Sequence, residues 1–334
     1  MSNTMNGKKI MDKCRICDNT ESHAYFKAKE MLHGFRDEFQ YFECTKCGCV
    51  QIQEIPVDLA RYYPHDYYSH QKARQGLGPR DRSFTTFLKR QRARCCISPQ
   101  PLVRKIWSLT YNSKHRYVWY NKVHLRFNSK ILDIGCGSGL ALLKMYLEGF
   151  RDLSGVDPYI EKDICYENGV RIYKKEICQL EGEFDLIMSC ASFEHTPDPL
   201  KIFQETSRLL KPNGYVRIGT PLADSFTWRE YKEHWEEVDA PRHIFVPTVK
   251  GMNILAEKVN FSIVDIEYRS TEAQFILSEM YKRDIPYIPN ENKSADDPTY
   301  FSFSKEKMQQ FREKVQKLNE QRDGDFAYFY LKKK

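Results

Sequence analysis

The sequence lacks any long apolar run. In its 334 residues no stretch approaches the ~18 apolar residues of a membrane-spanning helix. The segment from Met1 to Lys13 likewise lacks the apolar core of a secretory signal. We therefore expect a cytoplasmic protein. Hydrophobic residues at 41% and charged residues at 29% are typical of a globular chain, and the length predicts one large domain with an appended module.

Two phosphate-binding signatures are missing from the glycine-rich segment that ends at Gly139. Leu140 occupies the last position of the dinucleotide fingerprint Gly-x-Gly-x-x-Gly/Ala, and no lysine follows the loop as it does in an NTPase. Three glycines are present instead at alternate positions, Gly135, Gly137 and Gly139, between a predicted strand and a predicted helix. Glycines at such a turn let the backbone approach a ligand at a helix N-terminus.

An even set of cysteines is also absent. The chain has 11, which together with the missing signal argues against a disulfide framework. Cys14 and Cys17 form one Cys-x-x-Cys pair and Cys44 and Cys47 form another, separated by 26 residues. Two such pairs can place four thiolates ~2.3 Å from one tetrahedral zinc ion, so we predict a structural Zn²⁺ in an N-terminal zinc ribbon. Accidental spacing and a redox dithiol are the alternatives.

Acidic residues are scarce in the segment 71–130, which has fifteen Lys or Arg against the single acid Asp81. The local balance of 15 − 1 = +14 leaves 7 − 14 = −7 for the rest of the chain. We predict helices at Ser83–Cys96 and Leu102–Leu125 here. Three interpretations stay open: a solvated helical face, contact with a phosphate-bearing acceptor, or contact with RNA or an anionic membrane surface, which interleaved aromatics such as Trp107 and Trp119 would suit.

From residue 129 onward predicted strands and helices alternate, a pattern typical of an α/β domain with a parallel sheet. The predicted strands are Ile131–Ile134, Leu153–Val156, Val170–Tyr173, Phe184–Ser189, Tyr215–Gly219, Phe261–Tyr268 and Asp325–Leu331. The predicted helices are Leu140–Glu148, Leu200–Leu210, Thr248–Val259, Glu272–Lys282 and Lys305–Gln321, with Thr248 as an N-cap.

Five motifs follow one another along this part of the chain. They are Ile131–Leu140, Asp157, Phe184–Ile187, Phe193–Pro199 and Arg208–Gly214. Together they resemble class I S-adenosylmethionine-dependent methyltransferases over roughly 130–334. The resemblance implies a Rossmann-like seven-stranded sheet with helices on both faces, in which the late strand runs antiparallel. It divides the chain into a zinc-ribbon-like module (1–56), a Tyr-rich and basic connector (57–128) and a methyltransferase domain (129–334) with acceptor-side insertions at about 222–247 and 270–323.

The resemblance also implies a cofactor site for S-adenosylmethionine. The loop Gly135–Gly139 would wrap its methionine part, Asp133 would hold its amino group, and Glu176 would face its adenine. Asp157 ends a strand 18 residues after Gly139, where its carboxylate could accept both ribose hydroxyls; its alternative role is a local cap. The predicted cofactor residues are Asp133, Gly135, Cys136, Gly137, Gly139, Asp157, Glu176, Cys190 and Glu194.

Two histidines are candidates for the base that methylation of a hydroxyl requires. His195 follows the fourth strand of the domain, and His243 ends a Trp-x-x-x-Asp-x-Pro-Arg-His element. The neighbouring Arg242 could bind a phosphate or carboxylate of the acceptor. Each has a structural alternative: loop shaping for the histidines and an ion pair with nearby acids for Arg242.

The zinc-ribbon-like front and the segment Tyr62–Tyr68 resemble a subgroup of methyltransferases associated with bacterial sugar, capsule or antibiotic assembly. We therefore expect methylation of a sugar, a nucleotide-sugar or a cell-envelope glycan intermediate. The alternatives are an RNA methyltransferase that holds nucleic acid with the ribbon and basic helices, and a non-enzymatic binding module.

Overall fold

The structure is a computed structural model that describes residues 12–63, 84–97, 118–288 and 303–334. Most of the basic segment 71–130, including Trp107, lies outside the described residues, as does the Tyr-rich segment beyond Tyr63. The first predicted basic helix is present as α1 (Phe84–Ile97), and the end of the second as α2 (Val118–Lys122). Within the described ranges, no helix is both long and apolar enough to cross a lipid bilayer.

The amino-terminal module is a small antiparallel sheet. Its strands are β1 (Ala24–Lys29), β2 (Glu38–Glu43) and β3 (Val50–Ile52), and they pair in that order.

The large sheet contains eight strands among the described residues, in the order β11-β12-β9-β8-β4-β5-β7-β6. They are β4 (Lys130–Ile134), β5 (Asp152–Val156), β6 (Ile164–Cys165), β7 (Arg171–Tyr173), β8 (Phe184–Cys190), β9 (Leu210–Pro221), β11 (Phe261–Tyr268) and β12 (Phe326–Lys333). Strands β7, β5, β4, β8 and β9 are parallel, whereas β12 runs antiparallel between β9 and β11. The predicted α/β Rossmann-like sheet and its late antiparallel strand are therefore confirmed.

The predicted number of seven strands is wrong by one. The extra strand, β6, has two residues and pairs antiparallel with β7 at the sheet edge. A turn at Tyr166–Gly169 folds the chain back, with Gly169 at a φ of 91° and the Tyr166 N–H bonded to the Val170 carbonyl. So short a pairing leaves no two-residue periodicity for the sequence to reveal.

Helices cover both faces of the large sheet, as predicted. The first face carries α1, α2 and α3 (Leu140–Glu148), and the second carries α4 (Pro199–Leu209) and α6 (Val249–Lys258). Neighbouring strand residues alternate between the two faces, so Ile131 packs in the first core and Leu132 in the second. Thr248 caps α6 by accepting a hydrogen bond from the Gly251 N–H at 2.9 Å, which confirms that predicted N-cap.

A third core surrounds the remaining helices. These are α5 (Phe226–Tyr231), α7 (Ala273–Lys282) and α8 (Lys305–Glu320), and the last two agree with their predicted bounds to within a residue. Their buried aromatic side chains Trp228, Phe275 and Phe311 pack in one cluster with Trp235, which follows α5, and with strands β1 to β3. The predicted insertions therefore fold against the amino-terminal module.

Strand β10 (Phe245–Val246) connects the large domain to the amino-terminal module. It pairs with β3 and so extends the small sheet as a fourth strand. It lies at the end of the predicted insertion 222–247. Just beyond it, the Thr248 hydroxyl donates to the Cys47 carbonyl at 2.6 Å. A Cβ on Gly251 would lie 2.4 Å from the Cys49 sulfur, so only glycine allows this approach. Module and domain thus share a sheet and a core.

A buried ion cluster lies at the same junction. The Arg242 side chain is 0% exposed and bonds to both carboxylate oxygens of Asp239, at 2.9 and 2.5 Å. It also donates to Glu30 at 3.0 Å and to the Tyr62 carbonyl at 3.2 Å. Glu30, itself 0% exposed, accepts two further backbone N–H bonds in the module. The cluster therefore connects residues 212 positions apart in the sequence.

We predict that Glu30→Ala lowers the free energy of unfolding by about 3 kcal/mol, because it removes one partner of a buried charge and strands two backbone donors. Urea denaturation followed by circular dichroism would measure it. Glu38→Gln is the matched control, since Glu38 pairs with Lys27 at 3.0 Å on the exposed surface of the same sheet and should change nothing measurable. Equal effects of the two variants would contradict a stabilising role for the cluster.

Candidate functional site

A cavity of about 490 Å³ opens where β4, β5 and β8 end. In α/β sheets this edge is the usual place for a ligand. Three predicted cofactor residues line the cavity, namely Gly135, Asp157 and Glu176, and so does the predicted base His195. The site is therefore assembled from segments that the sequence motifs already single out.

The glycine loop is shaped by close contacts that exclude side chains. Gly135 has a φ of 66°, and a Cβ there would lie 2.5 Å from the Cβ of Ser192. Gly139 has a φ of 79°, and its Cβ would lie 2.5 Å from a methyl group of Ile172. Both positions need glycine for conformation and for space. The Ser192 hydroxyl also donates to the Ile134 carbonyl at 2.9 Å, which fixes this wall of the cavity.

Asp157 is buried, with 5% of its surface exposed, and its carboxylate holds the loop together. It accepts the Gly137 N–H at 2.8 Å and the Tyr159 N–H at 2.9 Å. A carboxylate has about four acceptor positions, so two bonds leave capacity for hydroxyls of a ligand in the cavity. The local cap and the predicted ligand contact are therefore compatible in this geometry.

Glu176 lies at the far side of the same cavity, on an exposed position. Its N–H donates to the Gln179 side chain at 2.8 Å, which starts the short 3₁₀ turn Ile177–Gln179. Ile177 and Val156 line the cavity between the two carboxylates. The cavity therefore combines apolar side chains with at least two carboxylates.

The six other predicted cofactor residues do not line this cavity, and two of them, Gly137 and Gly139, belong to the glycine loop beside it. Asp133 and Cys190 line a depression on the first face of the sheet, which we call the second depression; Trp119, Lys144, Arg217, Arg269 and Tyr328 also border it. Cys136 packs against Gly155, and burial raises the pKa of its thiol well above the usual range. Glu194 is buried and accepts from the Thr220 hydroxyl at 3.0 Å. Strand alternation explains the division, because Asp133 and Ile134 point to opposite faces.

His195 lies in the cavity wall as a neutral imidazole. Its Nδ1 is 2.9 Å from the Arg242 carbonyl, which can only accept, so Nδ1 carries the proton and Nε2 is an acceptor. The Tyr63 hydroxyl lies 3.2 Å from the same nitrogen. Burial and the neighbouring His243 lower the pKa of His195 to about 4. The predicted base is thus held unprotonated.

His243 lies behind His195, with their ring centres 4.8 Å apart. Its Nδ1 is 2.7 Å from the Glu237 carbonyl, and its Nε2 lies 3.9 Å from a Glu194 oxygen. Burial raises the pKa of Glu194. The ligand atoms of Glu194, His195 and His243 all lie within 4.8 Å of one another, so this group could also hold a metal ion. His243 does not itself line the cavity, which gives it a supporting position.

Arg242 lies in the buried ion cluster, away from the cavity where we predicted that it would contact an acceptor. Its guanidinium is fully buried in the ion cluster with Glu30 and Asp239 and does not border the cavity. Arg242 and His243 lower the pKa of Asp239 to about 2 against the opposing effect of burial, so that carboxylate stays charged. The ion-pair alternative is therefore the one that the geometry supports.

The four predicted zinc ligands lie together at the tip of the amino-terminal module. The Cys14 and Cys47 sulfurs are 3.6 Å apart and the Cys17 and Cys44 sulfurs 3.5 Å apart. Four sulfurs ~2.3 Å from one zinc ion would lie about 3.8 Å apart in tetrahedral geometry. The side-chain amide of Gln51 donates to the Cys14 sulfur at 2.9 Å, a contact that suits a thiolate. The cluster therefore has the geometry of a Cys₄ metal site.

Sequence reasoning missed three residues at these sites. Tyr63 lines the cavity although only its Tyr-rich segment attracted notice. Ser192 fixes the glycine loop, and Arg217 borders the second depression. Strand alternation along β9 could have indicated Arg217, whereas no local pattern marks the other two.

The chain is similar to known methyltransferases. Residues 108–266 match a family model described as a methyltransferase domain. A ubiquinone biosynthesis O-methyltransferase of Pectobacterium carotovorum is 31% identical over 113 residues, 30% of this chain and 47% of that protein. One of Dechloromonas aromatica is 30% identical over 115 residues, 31% of this chain and 50% of that protein. The chain thus spans about half the length of these relatives.

Solved structures with a similar arrangement include a cyclopropane synthase of Mycobacterium tuberculosis, with a TM-score of 0.40 and 17% identity over 64% of this chain and 81% of that one. Another is a putative sarcosine dimethylglycine methyltransferase of Galdieria sulphuraria, with a TM-score of 0.40 and 16% identity over 69% of this chain and 88% of that one.

We predict that His195 stays neutral from pH 8 to pH 5 and gains a proton only near pH 4. The unfolded chain takes up this proton near pH 6.5, so His195 should cost stability as the pH falls from about 6.5 towards 4. Carbon-13 NMR of labelled histidines would follow the titration, with His195→Asn to assign its signal. A midpoint near 6.5 would contradict the buried neutral imidazole.

Proposed function

We propose that this chain, whose residues 108–266 belong to a methyltransferase domain family, transfers a methyl group from S-adenosylmethionine to a small-molecule acceptor. The observation that carries the proposal is the cavity at the ends of β4, β5 and β8. A glycine loop and two carboxylates line one part of it, and a neutral histidine lines another. A methyl-donor site beside a proton acceptor is what transfer to a hydroxyl needs.

The residues of the cavity fit the cofactor. The backbone at Gly135 leaves no room for a side chain beside Ser192, as expected where a ligand approaches the main chain. Asp157 would accept the ribose hydroxyls, Glu176 would face the adenine edge, and Ile177 would pack on the adenine ring. When bound, S-adenosylmethionine supplies an electrophilic methyl group on its sulfonium.

His195 would act as the proton acceptor. Its Nδ1–H is used by the Arg242 carbonyl, and no group among the described residues hydrogen-bonds to Nε2 in the structure. Nε2 can therefore take the proton that leaves an acceptor hydroxyl as its oxygen is methylated. His243 would orient His195 through the contact between their rings, and Asp239 would offset part of the positive charge that His195 gains.

The acceptor that we propose is a sugar, a nucleotide-sugar or a cell-envelope glycan intermediate. Support comes from the resemblance of the cysteine module and the Tyr62–Tyr68 segment to the sugar-assembly subgroup. The relatives named O-methyltransferases favour a hydroxyl acceptor. The RNA and membrane-surface interpretations depend on segment 71–130, which lies mostly outside the described residues, and stay predictions.

A screen of labelled methyl transfer would identify the acceptor. We expect label from methyl-labelled S-adenosylmethionine to enter nucleotide-sugars or cell-envelope glycans and not RNA. Label in RNA, with binding that weakens linearly in logarithmic salt concentration, would favour the alternative instead.

We further propose that Cys14, Cys17, Cys44 and Cys47 bind one structural Zn²⁺. The sulfur separations of 3.5 and 3.6 Å are near those of a tetrahedral site and far from the ~2.05 Å of a disulfide. Gln51 and Asn19 direct side-chain N–H groups at the cysteine sulfurs, which suits their negative charge in a metal complex. Four protein ligands leave no open position, so the ion would stabilise the module and take no part in the reaction.

We predict that the purified protein contains one zinc ion per chain and that Cys14→Ser loses it, with a cost of several kcal/mol in stability, because metal binding is coupled to folding. Elemental analysis and thermal denaturation would measure both effects. Cys165→Ser is the control, since Cys165 is exposed on the sheet edge and outside the cluster. A zinc-free protein of full stability with a Cys14–Cys17 disulfide would favour the redox alternative.

We predict that Asp157→Ala weakens binding of S-adenosylmethionine at least about 100-fold, because two hydrogen bonds to a charged group are lost. Isothermal titration calorimetry would measure the affinity. Asp152→Asn is the control, since Asp152 is exposed at the opposite end of the same strand. Unchanged affinity in a folded Asp157→Ala variant, or no binding by the wild-type protein, would refute the proposed cofactor site.

A further inference from the structure

Arg217 lies on β9 with its guanidinium held between aromatic rings. Its Cζ is 3.5 Å from the ring centre of Tyr328 and 4.3 Å from that of Trp119. The Tyr330 ring is also near, at 5.7 Å. A guanidinium stacked on rings is oriented and partly desolvated, which strengthens its interaction with an anion.

No carboxylate of the described residues lies within ion-pair distance of Arg217. Its Nε donates to the Tyr330 hydroxyl at 3.3 Å, and no carboxylate of the described residues pairs with its two terminal nitrogens. Arg269, which borders the same second depression, differs because it is paired with Glu267. Arg217 is therefore a half-buried charge without a carboxylate partner among the described residues.

The other charges of the second depression do not neutralise Arg217. Burial raises the pKa of Asp133 to about 8, so this acid is largely protonated at neutral pH. Glu267 is already bonded to Arg269 and Lys122, and Glu148 to Tyr120. Lys144 adds a second positive charge to the rim. The depression, with a volume of about 660 Å³, therefore combines space for a ligand with a guanidinium that no carboxylate of the described residues pairs.

The second depression adjoins the main cavity. Cys190 lines the depression, whereas the flanking residues Ser189 and Ala191 line the cavity. On β4, Asp133 likewise lines the depression and Ile134 lines the cavity. A molecule that reaches over the strand ends could therefore have one part in each recess.

We propose that Arg217, supported by Trp119 and Tyr328, binds a carboxylate or phosphate group in the second depression. The two terminal nitrogens would hold two oxygens of the anion in parallel. The inference rests on the proposed methyltransferase function. It requires that one of the two substrates carries an anionic group in the second depression. The oxyanion can come from the acceptor or from the amino-acid end of S-adenosylmethionine, and the two sources are experimentally separable.

The experiment compares Arg217→Met and Arg217→Lys with the wild-type full-length protein by isothermal titration calorimetry. The probes are S-adenosylmethionine, its decarboxylated analogue, and inorganic phosphate or benzoate added to protein saturated with S-adenosylmethionine. Arg269→Met is the matched control, because Arg269 borders the same depression but is already paired. Thermal denaturation verifies that each variant is folded.

If the anion belongs to the methyl donor, Arg217→Met should weaken S-adenosylmethionine at least about 10-fold and leave the decarboxylated analogue unchanged, as expected for a charged hydrogen-bonded pair. If it belongs to the acceptor, S-adenosylmethionine should bind normally while phosphate or benzoate binding is lost. The affinity of Arg217→Lys should lie between those of the wild-type protein and Arg217→Met, because an ammonium keeps the charge but cannot form two parallel hydrogen bonds to the anion.

Wild-type affinities for every probe in a folded Arg217→Met protein would overturn the inference. Should that variant fail to fold, unchanged affinities in Arg217→Lys would overturn it equally. Failure of the proposed function looks different, because the wild-type protein would then not bind S-adenosylmethionine at all.

Discussion

The buried guanidinium of Arg242 is the interaction on which the rest of the structure depends. Its side chain bonds to Glu30 in the amino-terminal module and to Asp239 in the acceptor-side insertion. Its backbone carbonyl accepts the Nδ1–H of His195 and thereby determines which nitrogen can take a proton. The same residue therefore holds two parts of the chain together and sets the chemical state of the candidate base.

This connection links the cysteine module to the candidate site. Arg242 also donates to the Tyr62 carbonyl, and the next residue, Tyr63, borders the cavity beside His195. Strand β10 adds the segment after His243 to the small sheet. A metal ion at the tip of that sheet would act on catalysis only through such packing, by keeping the junction rigid and water out of the cavity wall.

Much of the fold could be predicted because its signals are local. The glycine loop, the alternating strands and the Thr248 cap each depend on a few neighbouring residues, and residues 108–266 match a family model described as a methyltransferase domain. The burial of Arg242 could not be predicted, since its partner Glu30 lies 212 residues away. Strand β6 was missed because two residues carry no periodicity. The cofactor and metal roles of the site residues stay predictions.

The alternation of side chains along parallel strands accounts for the layout of the site. On β4, Asp133 borders the second depression and Ile134 the main cavity, and on β8 Cys190 and Ser189 divide in the same way. A one-residue step along a strand therefore moves a group from one recess to the other. Because both recesses reach the same strand ends, an adenosine-sized ligand in the cavity leaves the oppositely facing polar residues available for charged groups. Arg217 lies on that second face, where the anion that we propose would bind.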